Sequence, residues 1–331
     1  MRHSSPAQTK ASNHSNSHTG ISEMMSWPQL VEWISRERNP NTSKAYATYA
    51  NQYLLYAAAN NQQAVPGTPL LVANFFLHLH VDQKLTVSTI TKSALYAIAD
   101  LHRFTNETPT KHPLAKAMCK VLKRVAKRNK KGKTPITSDI LLALLQTLDI
   151  TNLEHLQSAT ILILSYKGFL RCSEAMNLRP QDITLKTVTV NNQPTEVLTI
   201  FIEKSKVDQE RVGHSLIVGP DPILWKCPVA YAKAFISARN PAATHFFHRK
   251  GKTTKPPNSF VNKIVKRTCS SAGLNPKIYS SHGLRAGGAT DAISAGIPIH
   301  LIKRHGNWAS DAVFIYVHDS ITARLSVSQA I

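Results

Sequence analysis

The amino-acid sequence predicts a mostly α-helical protein with a small β-sheet, organised as a helical amino-terminal domain followed by a mixed α+β domain. Three observations predict this fold class. Apolar residues recur at three- and four-residue spacing along most of the 331 residues, which is the period of an amphipathic helix. Two β-rich runs flank one polar turn in the second half and indicate a hairpin. A strongly basic stretch near residue 130 separates the halves.

The chain begins with a polar segment. Residues 1–24 are rich in Ser, His, Asn and Thr and have no apolar periodicity, so we expect a disordered tail. A helical pattern starts near Trp27. The segment TSKAYATYANQYLLYAAA then predicts a helix that begins at a Thr42 or Ser43 cap.

Two further helices are predicted before the basic stretch. The segments PLLVANFFLHLHVD and TVSTITKSALYAIADLHRFT have the same amphipathic period. Gly67, Pro69 and Thr86 mark the ends of these segments. Residues 25–119 are therefore predicted to form a small helical domain.

Residues 120–133, KVLKRVAKRNKKGK, form a basic segment with eight basic residues in fourteen. Its first part still has a helical pattern, which Gly132 interrupts. The segment is either a solvated helix end and flexible linker or a contact along a nucleic-acid backbone, and its composition also fits a nuclear import signal. The charge of the whole chain favours backbone contact. A new helix in TPITSDILLALLQTL, capped by Thr137 or Ser138, sets the domain boundary near residue 134.

The second domain, residues 134–331, mixes helices and strands. Helices are predicted at about 152–168 and 173–179, and the runs VLTIFIE and ERVGHSLIV predict two strands around the turn KSKVDQ. Helices follow up to residue 239 and over about 257–272, and short helices complete the chain.

Composition limits the possible functions. Lysine and arginine outnumber aspartate and glutamate 40 to 19, a formal charge of +21, which predicts a polyanionic partner. The excess is present in both halves, with 18 basic and 6 acidic residues in 1–133 and 22 and 13 in 134–331. The apolar runs are shorter than the ~20 residues that a bilayer requires, which excludes a membrane-embedded function. The polar amino terminus and four cysteines without a C-x-x-C pair predict an intracellular protein with reduced thiols.

One candidate phosphate site lies in SSHGLRAGGATDAISAG. Serine caps precede His282 and Arg285, whose three-residue spacing places both side chains on one face at a helix start. A guanidinium fork, an imidazole and the free N–H groups of a helix start together suit the oxygens of a phosphate. Such a pair in isolation is more often a capping histidine and a surface arginine.

Two other segments add functional groups. Arg171 in KGFLRCSEAMNL follows a helix with a buried pattern, and Glu174 is placed to orient it. The segment HGNWASDAVFIYVH supplies Trp308 and, eight residues later, Tyr316. A tyrosine in such an apolar helix is usually a core residue.

Taken in chain order, these residues resemble the tyrosine recombinase (phage integrase) superfamily. The catalytic domain of that superfamily has, in sequence, Arg, Lys, His-x-x-Arg, His or Trp, and Tyr. The resemblance covers about residues 25–320 and implies a helical core-binding domain and an integrase-type catalytic domain. The catalytic residues that it implies are Arg171, Lys206, His282, Arg285, Trp308 and Tyr316.

Two positions in this set remain ambiguous. The hairpin offers both Lys204 and Lys206, and we favour Lys206 because it lies nearer the turn. Many members of the superfamily have histidine in the slot of Trp308, and the nearby His305 is easily mistaken for that histidine. We expect His305 to support the residues of the site and not to contact the phosphate itself.

The core-binding helices and the basic segment are expected to contact DNA. Their segments TSKAYATYANQYLLYA and TVSTITKSALYAIADLHRF resemble the DNA-clamping helices of the superfamily. The DNA-binding residues expected here are Thr42, Lys44, Lys92, Lys120, Lys123, Arg124, Lys127 and Arg128.

The resemblance implies a site-specific recombinase, of a kind that mobile elements encode, that cleaves and rejoins double-stranded DNA through a 3′-phosphotyrosine. It implies no metal, ATP or other cofactor, and a homotetramer on paired DNA sites. The tail DSITARLSVSQAI, with apolar Ile321 and Leu325, docks either on a neighbouring subunit or on its own domain. The expected location is on DNA inside a cell: the nucleus of a eukaryote, or the cytoplasm and nucleoid of a prokaryote.

Three alternatives were weighed against the recombinase hypothesis. A type IB topoisomerase-like relaxase would use the same pocket as a monomer, and the helical first domain argues against it. A mobile-element-derived DNA-binding protein that has lost cleavage is disfavoured because all six catalytic slots are filled. Nucleotide binding by HRKGKTTK is not expected, because Phe246 stands where a P-loop needs its first glycine.

Overall fold

A computed structural model describes residues 40–126, 134–203, 213–315 and 321–330. The chain divides into two compact units, Met1–Asn129 and Lys130–Ile331, and each is described by itself. The division falls within the basic segment 120–133. The predicted tail, residues 1–24, lies outside the described residues.

The described part of the first unit is helical. Its helices are α1 (Pro40–Ala59), α2 (Pro69–Val81), α3 (Val87–Thr89), α4 (Leu95–Leu101) and α5 (Pro113–Val125), with the π-helical turn Ile90–Ala94 joining α3 to α4 and a 3₁₀ turn at Pro109–Lys111. Helix α5 packs against α2, and α4 packs against α1. The core that they enclose includes Tyr53, Phe75, Phe76, Leu79 and Ile98.

Threonine side chains cap two helix starts in this unit. Thr68 and Thr86 accept hydrogen bonds from the backbone N–H groups of Leu71 and Thr89, as Thr caps do. The predicted cap of α1 at Thr42 or Ser43 is wrong, because α1 already begins at Pro40. Proline suits a first helical position, since its fixed φ is helical and its missing N–H would have no partner there.

The second unit is built around one buried helix. The helices described in it are α6 (Ser138–Gln146), α7 (Leu153–Lys167), α8 (Cys172–Asn177), α9 (Pro228–Ala238), α10 (Ser259–Ser271), α11 (Ser281–Ser294), α12 (Ile299–His305) and α13 (Ile321–Gln329). Helix α7 is buried from Leu156 to Tyr166 and contacts α9 and α11. Eleven consecutive residues of α7 are buried, including the polar Gln157, Ser158, Thr160 and Ser165, so the helix is covered on all sides and anchors the core of the unit.

The sheet has three antiparallel strands in the order β1 (Ile183–Val190), β2 (Gln193–Ile202) and β3 (His214–Val218). The two predicted strands correspond to β2 and β3, and residues 204–212, which contain the predicted turn, lie outside the described residues. Strand β1 was not predicted. It pairs with β2 through the two-residue turn Asn191–Asn192, in which both residues have positive φ.

No helix in the described part of the chain is both long and apolar enough to cross a membrane. In α13, Ile321 and Leu325 are exposed in the single chain.

Candidate active site

Arg171 lies at the start of α8, where the chain leaves the buried helix α7. Glu174 is 3% exposed and binds Arg171 twice: Oε2 accepts from the backbone N–H at 2.8 Å and Oε1 accepts from Nη1 at 2.5 Å. The side chain of Arg171 keeps 19% of its surface exposed. The contact expected between these two residues is therefore present, and it fixes a solvent-reachable guanidinium to a buried carboxylate.

Helix α11 begins after Ser280 and carries His282 and Arg285 in its first two turns. The guanidinium of Arg285 is 1% exposed. Its Nη1 donates to the carbonyl of Phe169, and its Nη2 donates to the carbonyl of Gly306 at 2.6 Å. Arg285 thereby joins α11 to the loop before Arg171 and to the end of α12.

Trp308 covers the guanidinium of Arg285. The indole is 7% exposed, and its ring centre lies 3.9 Å from Cζ of Arg285, which is cation–π geometry. The approach depends on Gly306, because a Cβ there would lie 2.6 Å from Cη2 of Trp308 and closer still to two other ring atoms. Trp308 also contacts Phe169, with ring centroids 5.9 Å apart.

His282 is brought into the field of both arginines. Although the residue is exposed overall, partial desolvation of its ring lowers its pKa, and the positive charges of Arg285 and Arg171 lower the pKa further. Its imidazole is therefore neutral near pH 7 and can accept a proton. The structure thus brings together four of the six predicted catalytic residues: Arg171, His282, Arg285 and Trp308.

His305 supports the site from one side. Its Nε2 lies 2.8 Å from the carbonyl of Lys167, and its ring meets that of Phe169 edge-on at 4.8 Å. Burial is the largest cause that lowers its pKa, and the charge of Arg285 adds to it. These contacts fix the loop that leads to Arg171.

The sequence did not single out Phe169, which organises this loop. Its φ is +49°, its carbonyl accepts from Arg285, and its ring is wedged between His305 and Trp308. A non-glycine residue at positive φ is uncommon and is kept only where its surroundings hold it. Its position two residues before Arg171 was the only local signal.

Several predicted site residues lie outside the described residues. These are Lys204, Lys206, Lys127, Arg128 and Tyr316. The 3₁₀ turn Asp311–Ile315 directly precedes Tyr316. In this turn Val313 is fully buried in one cluster with Phe169 and Trp308, so the chain leading to residue 316 is anchored beside the site.

The described members of the expected DNA-binding set all lie in the first unit, and all of them are exposed. Thr42 and Lys44 lie on α1, and Lys92 lies in the π-helical turn that packs against α1. Helix α5 buries Ala115, Cys119 and Leu122 on one side. Its other side carries Lys120, Lys123 and Arg124.

Sequence comparison identifies the relatives of the chain. The family model described as the phage integrase family matches residues 134–322, more than half of the chain. A relative from Selenomonas ruminantium, described as an integrase/recombinase xerD homolog, is 24% identical over 287 residues, which cover 84% of this chain and 81% of the relative.

Solved structures share the fold. The XerH site-specific recombinase in a post-cleavage complex with its palindromic difH substrate gives a TM-score of 0.56 at 18% identity, covering 85% of this chain and 76% of that one. The Tn1549 transposon integrase in complex with transposon right end DNA gives 0.56 at 14% identity, covering 92% and 98%. A lambda integrase dimer bound to a COC′ core site gives 0.56 at 13% identity, covering 89% and 95%. At these identities the likeness is one of fold.

Proposed function

The chain belongs to the phage integrase family, and we propose that it recombines DNA at specific sites, cleaving and rejoining strands through a 3′-phosphotyrosine on Tyr316. The observation that carries the proposed site is that Arg285 is bound to the carbonyl of Phe169, two residues before Arg171, and that both arginines lower the pKa of His282. The two arginines come from separate segments, and their charges act on one imidazole.

The first requirement of the reaction is neutralisation of charge. A phosphodiester resists attack because the incoming oxygen, the leaving oxygen and the phosphoryl oxygens all carry negative charge in the transition state. Arg171 and Arg285 supply two fixed positive charges with planar donor forks for the phosphoryl oxygens. Because Arg285 is buried in the structure, a phosphate contacts the edge of its guanidinium only after a local rearrangement there, and Trp308 stays over the face of the guanidinium.

The second requirement is proton transfer. The phenol of Tyr316, with a reference pKa of about 10, attacks phosphorus and loses its proton, and the neutral imidazole of His282 is the acceptor that the lowered pKa provides. The bond from phosphorus to the 5′-oxygen breaks, and the ammonium of Lys206 donates a proton to that oxygen. Trp308 packs beside the phosphate and donates its indole N–H.

The third requirement is reversibility. The phosphotyrosine bond retains the energy of the broken phosphodiester, so the 5′-hydroxyl of a second strand can displace the tyrosine without ATP or metal. Exchange of strands needs two DNA sites and several active sites, and we propose a homotetramer on paired double-stranded sites. The protein acts on DNA inside a cell, in the nucleus of a eukaryotic host or the nucleoid of a prokaryotic one.

Capture of the covalent intermediate tests this proposal. The chain is incubated with duplexes of random sequence that carry a nick beside the central bases, so that cleavage releases a short fragment and traps the adduct. Complexes that survive SDS are counted and their DNA is sequenced. We expect adducts from the wild type and from Tyr231→Phe, a matched change in α9, and none from Tyr316→Phe.

The outcomes separate the alternatives. An equal adduct yield from Tyr316→Phe would remove Tyr316 as the nucleophile. DNA binding without any adduct from the wild type would indicate a binding protein that has lost cleavage. Adducts without sequence preference, together with relaxation of supercoiled plasmid, would indicate a topoisomerase-like relaxase.

A further inference from the structure

Residues Thr134–Ser138, an extended segment that ends at the first residue of α6, lie along α11 on the side away from the active site. We call this segment the strap. The backbone N–H of Thr134 donates to the carbonyl of Ile278 at 3.1 Å, and that of Ile136 donates to the carbonyl of Gly283 at 2.9 Å. The N–H of Ser138 donates to Oδ2 of Asp291 at 2.7 Å. The strap is the first described segment after the basic segment 120–133.

The strap meets α11 at every fourth residue. Gly283, Gly287 and Asp291 share one side of the helix, because four residues make slightly more than one turn. A Cβ on Gly287 would lie 2.5 Å from the carbonyl carbon of Ile136 and closer still to its oxygen. Glycine therefore permits backbone-to-backbone contact at this position. His282 and Arg285 leave α11 on roughly the opposite side.

Asp291 links the strap to a third element. Its Oδ2 also accepts a hydrogen bond from the phenol of Tyr166 in α7. Burial is the largest cause that raises the pKa of Tyr166, and the bond to Asp291 raises it further, so the phenol remains a donor. Helix α7 ends one residue after Tyr166, at Lys167, and Arg171 follows four residues after that end.

We propose that Asp291 is a positioning residue for DNA cleavage, which holds the helix that carries Arg285 in register with the helix that leads to Arg171. This inference rests on the proposed function. Two hydrogen bonds to one carboxylate oxygen fix α11 against α7 and against the strap at the same point. The distance between two guanidinium groups that must grip one phosphate then depends on that point, because a shift of about 1 Å in a catalytic group can cost about 100-fold in rate.

The test combines a conservative series with a matched control. Asp291→Ala removes both hydrogen bonds, Asp291→Asn keeps an acceptor oxygen of the same shape, and Tyr166→Phe removes one donor. The control is Asp149→Ala, since Asp149 likewise accepts from one backbone N–H and one hydroxyl, both of Thr151, at 3.0 and 2.7 Å. Cleavage of the duplex recovered from the adduct selection is measured under single-turnover conditions. Here kcat is the rate constant at saturating DNA, and KM is the DNA concentration that gives half of that rate constant.

We expect kcat of Asp291→Ala to fall at least tenfold, with KM within twofold of the wild-type value. We expect kcat of Tyr166→Phe to fall severalfold. Asp291→Asn should have most of the wild-type kcat. A residue that only stabilises the fold would not separate kcat from KM. An unchanged kcat in Asp291→Ala, or a fall that follows KM, would overturn the proposal. So would Asp291→Asn if it were as slow as the alanine variant. Should the alanine variant fail to fold, Asp291→Asn and Tyr166→Phe decide.

A second readout does not depend on cleavage. Phenylglyoxal modifies accessible arginines, and mass spectrometry locates the modified residues. Because Arg285 is almost fully covered, we expect slow labelling in the wild type and in Asp149→Ala, and labelling at least fivefold faster in Asp291→Ala. Wild-type labelling rates in Asp291→Ala would refute the positioning role. Absence of cleavage by the wild type would count against the proposed function alone.

Discussion

Replacement of Gly306 by alanine tests whether the position of Trp308 controls the site. The backbone of Gly306 has φ −89° and ψ 3°, which alanine adopts without strain. The added Cβ would lie 2.6 Å from Cη2 of Trp308 and nearer to Cζ3 and Cε3. Because ordinary contacts between carbon atoms are about 3.5–4.0 Å, the indole must move by at least about 1 Å. That shift moves it off Arg285, now 3.9 Å from its ring centre.

Two effects of different size follow. Overpacking of a buried site costs about 1–3 kcal/mol, which for a domain of this size lowers the melting temperature by several degrees, at about 2–4 °C per kcal/mol. Misplacement of a group beside the phosphate lowers the cleavage rate by about 100-fold. Single-turnover cleavage at saturating DNA and thermal unfolding measure the two effects separately.

Gly219→Ala is the matched control for this substitution. A Cβ on Gly219 meets nothing within 4 Å, so we expect wild-type cleavage and stability from this variant. A Gly306→Ala variant that cleaves within twofold of the wild-type rate would refute the argument that the indole must lie over Arg285 during cleavage.

Three further predictions concern other groups of the protein. Glu174→Ala should lower the rate of single-turnover cleavage at least tenfold, because it leaves Arg171 without its buried carboxylate partner. Glu174→Gln should retain more of the rate. Equal rates for the two variants would contradict the role of Glu174 in holding Arg171. The pKa of His282 is lowered from 6.5. We therefore expect kcat/KM to be level around pH 7 and to fall as the pH drops through a value below 6.5, where the imidazole becomes charged. A midpoint above 6.5, or the same fall at acid pH in His282→Gln, would exclude His282 as the group that titrates. Replacement of three exposed cations of α5, Lys120, Lys123 and Arg124, by alanine should reduce the slope of log K against log salt by about 2–3, at roughly 0.9 for each phosphate contact. An unchanged slope would show that these three side chains do not contact DNA.

Most helices of the protein could be predicted from the sequence because their pattern is local. The predicted helix at about 152–168 is α7 (Leu153–Lys167), and the helix predicted over about 257–272 is α10 (Ser259–Ser271). Strand β1 was missed although six of the eight residues in its segment ITLKTVTV are β-branched, a composition typical of strands. The pair Asn191–Asn192 after it was an available signal, since asparagine tolerates the positive φ that a two-residue hairpin turn requires.

The candidate site could be predicted only as a set of residues. Motif order pointed to Arg171, His282, Arg285 and Trp308, and the structure brings them together. It did not indicate that Arg285 is held by carbonyls 116 and 21 residues away in sequence. Asp291 was not found for the same reason, because its partners Ser138 and Tyr166 lie 153 and 125 residues away. Contacts of this kind come from tertiary packing, which no local pattern records.

Mass spectrometry of the trapped adduct tests the central claim most directly. The wild-type protein is cross-linked through its own chemistry to the selected nicked duplex, digested with nuclease and trypsin, and searched for peptides that carry a nucleotide. The account predicts one modified residue, Tyr316, joined to a 3′-phosphate. A nucleotide on any other side chain, or on a 5′-phosphate, would contradict it.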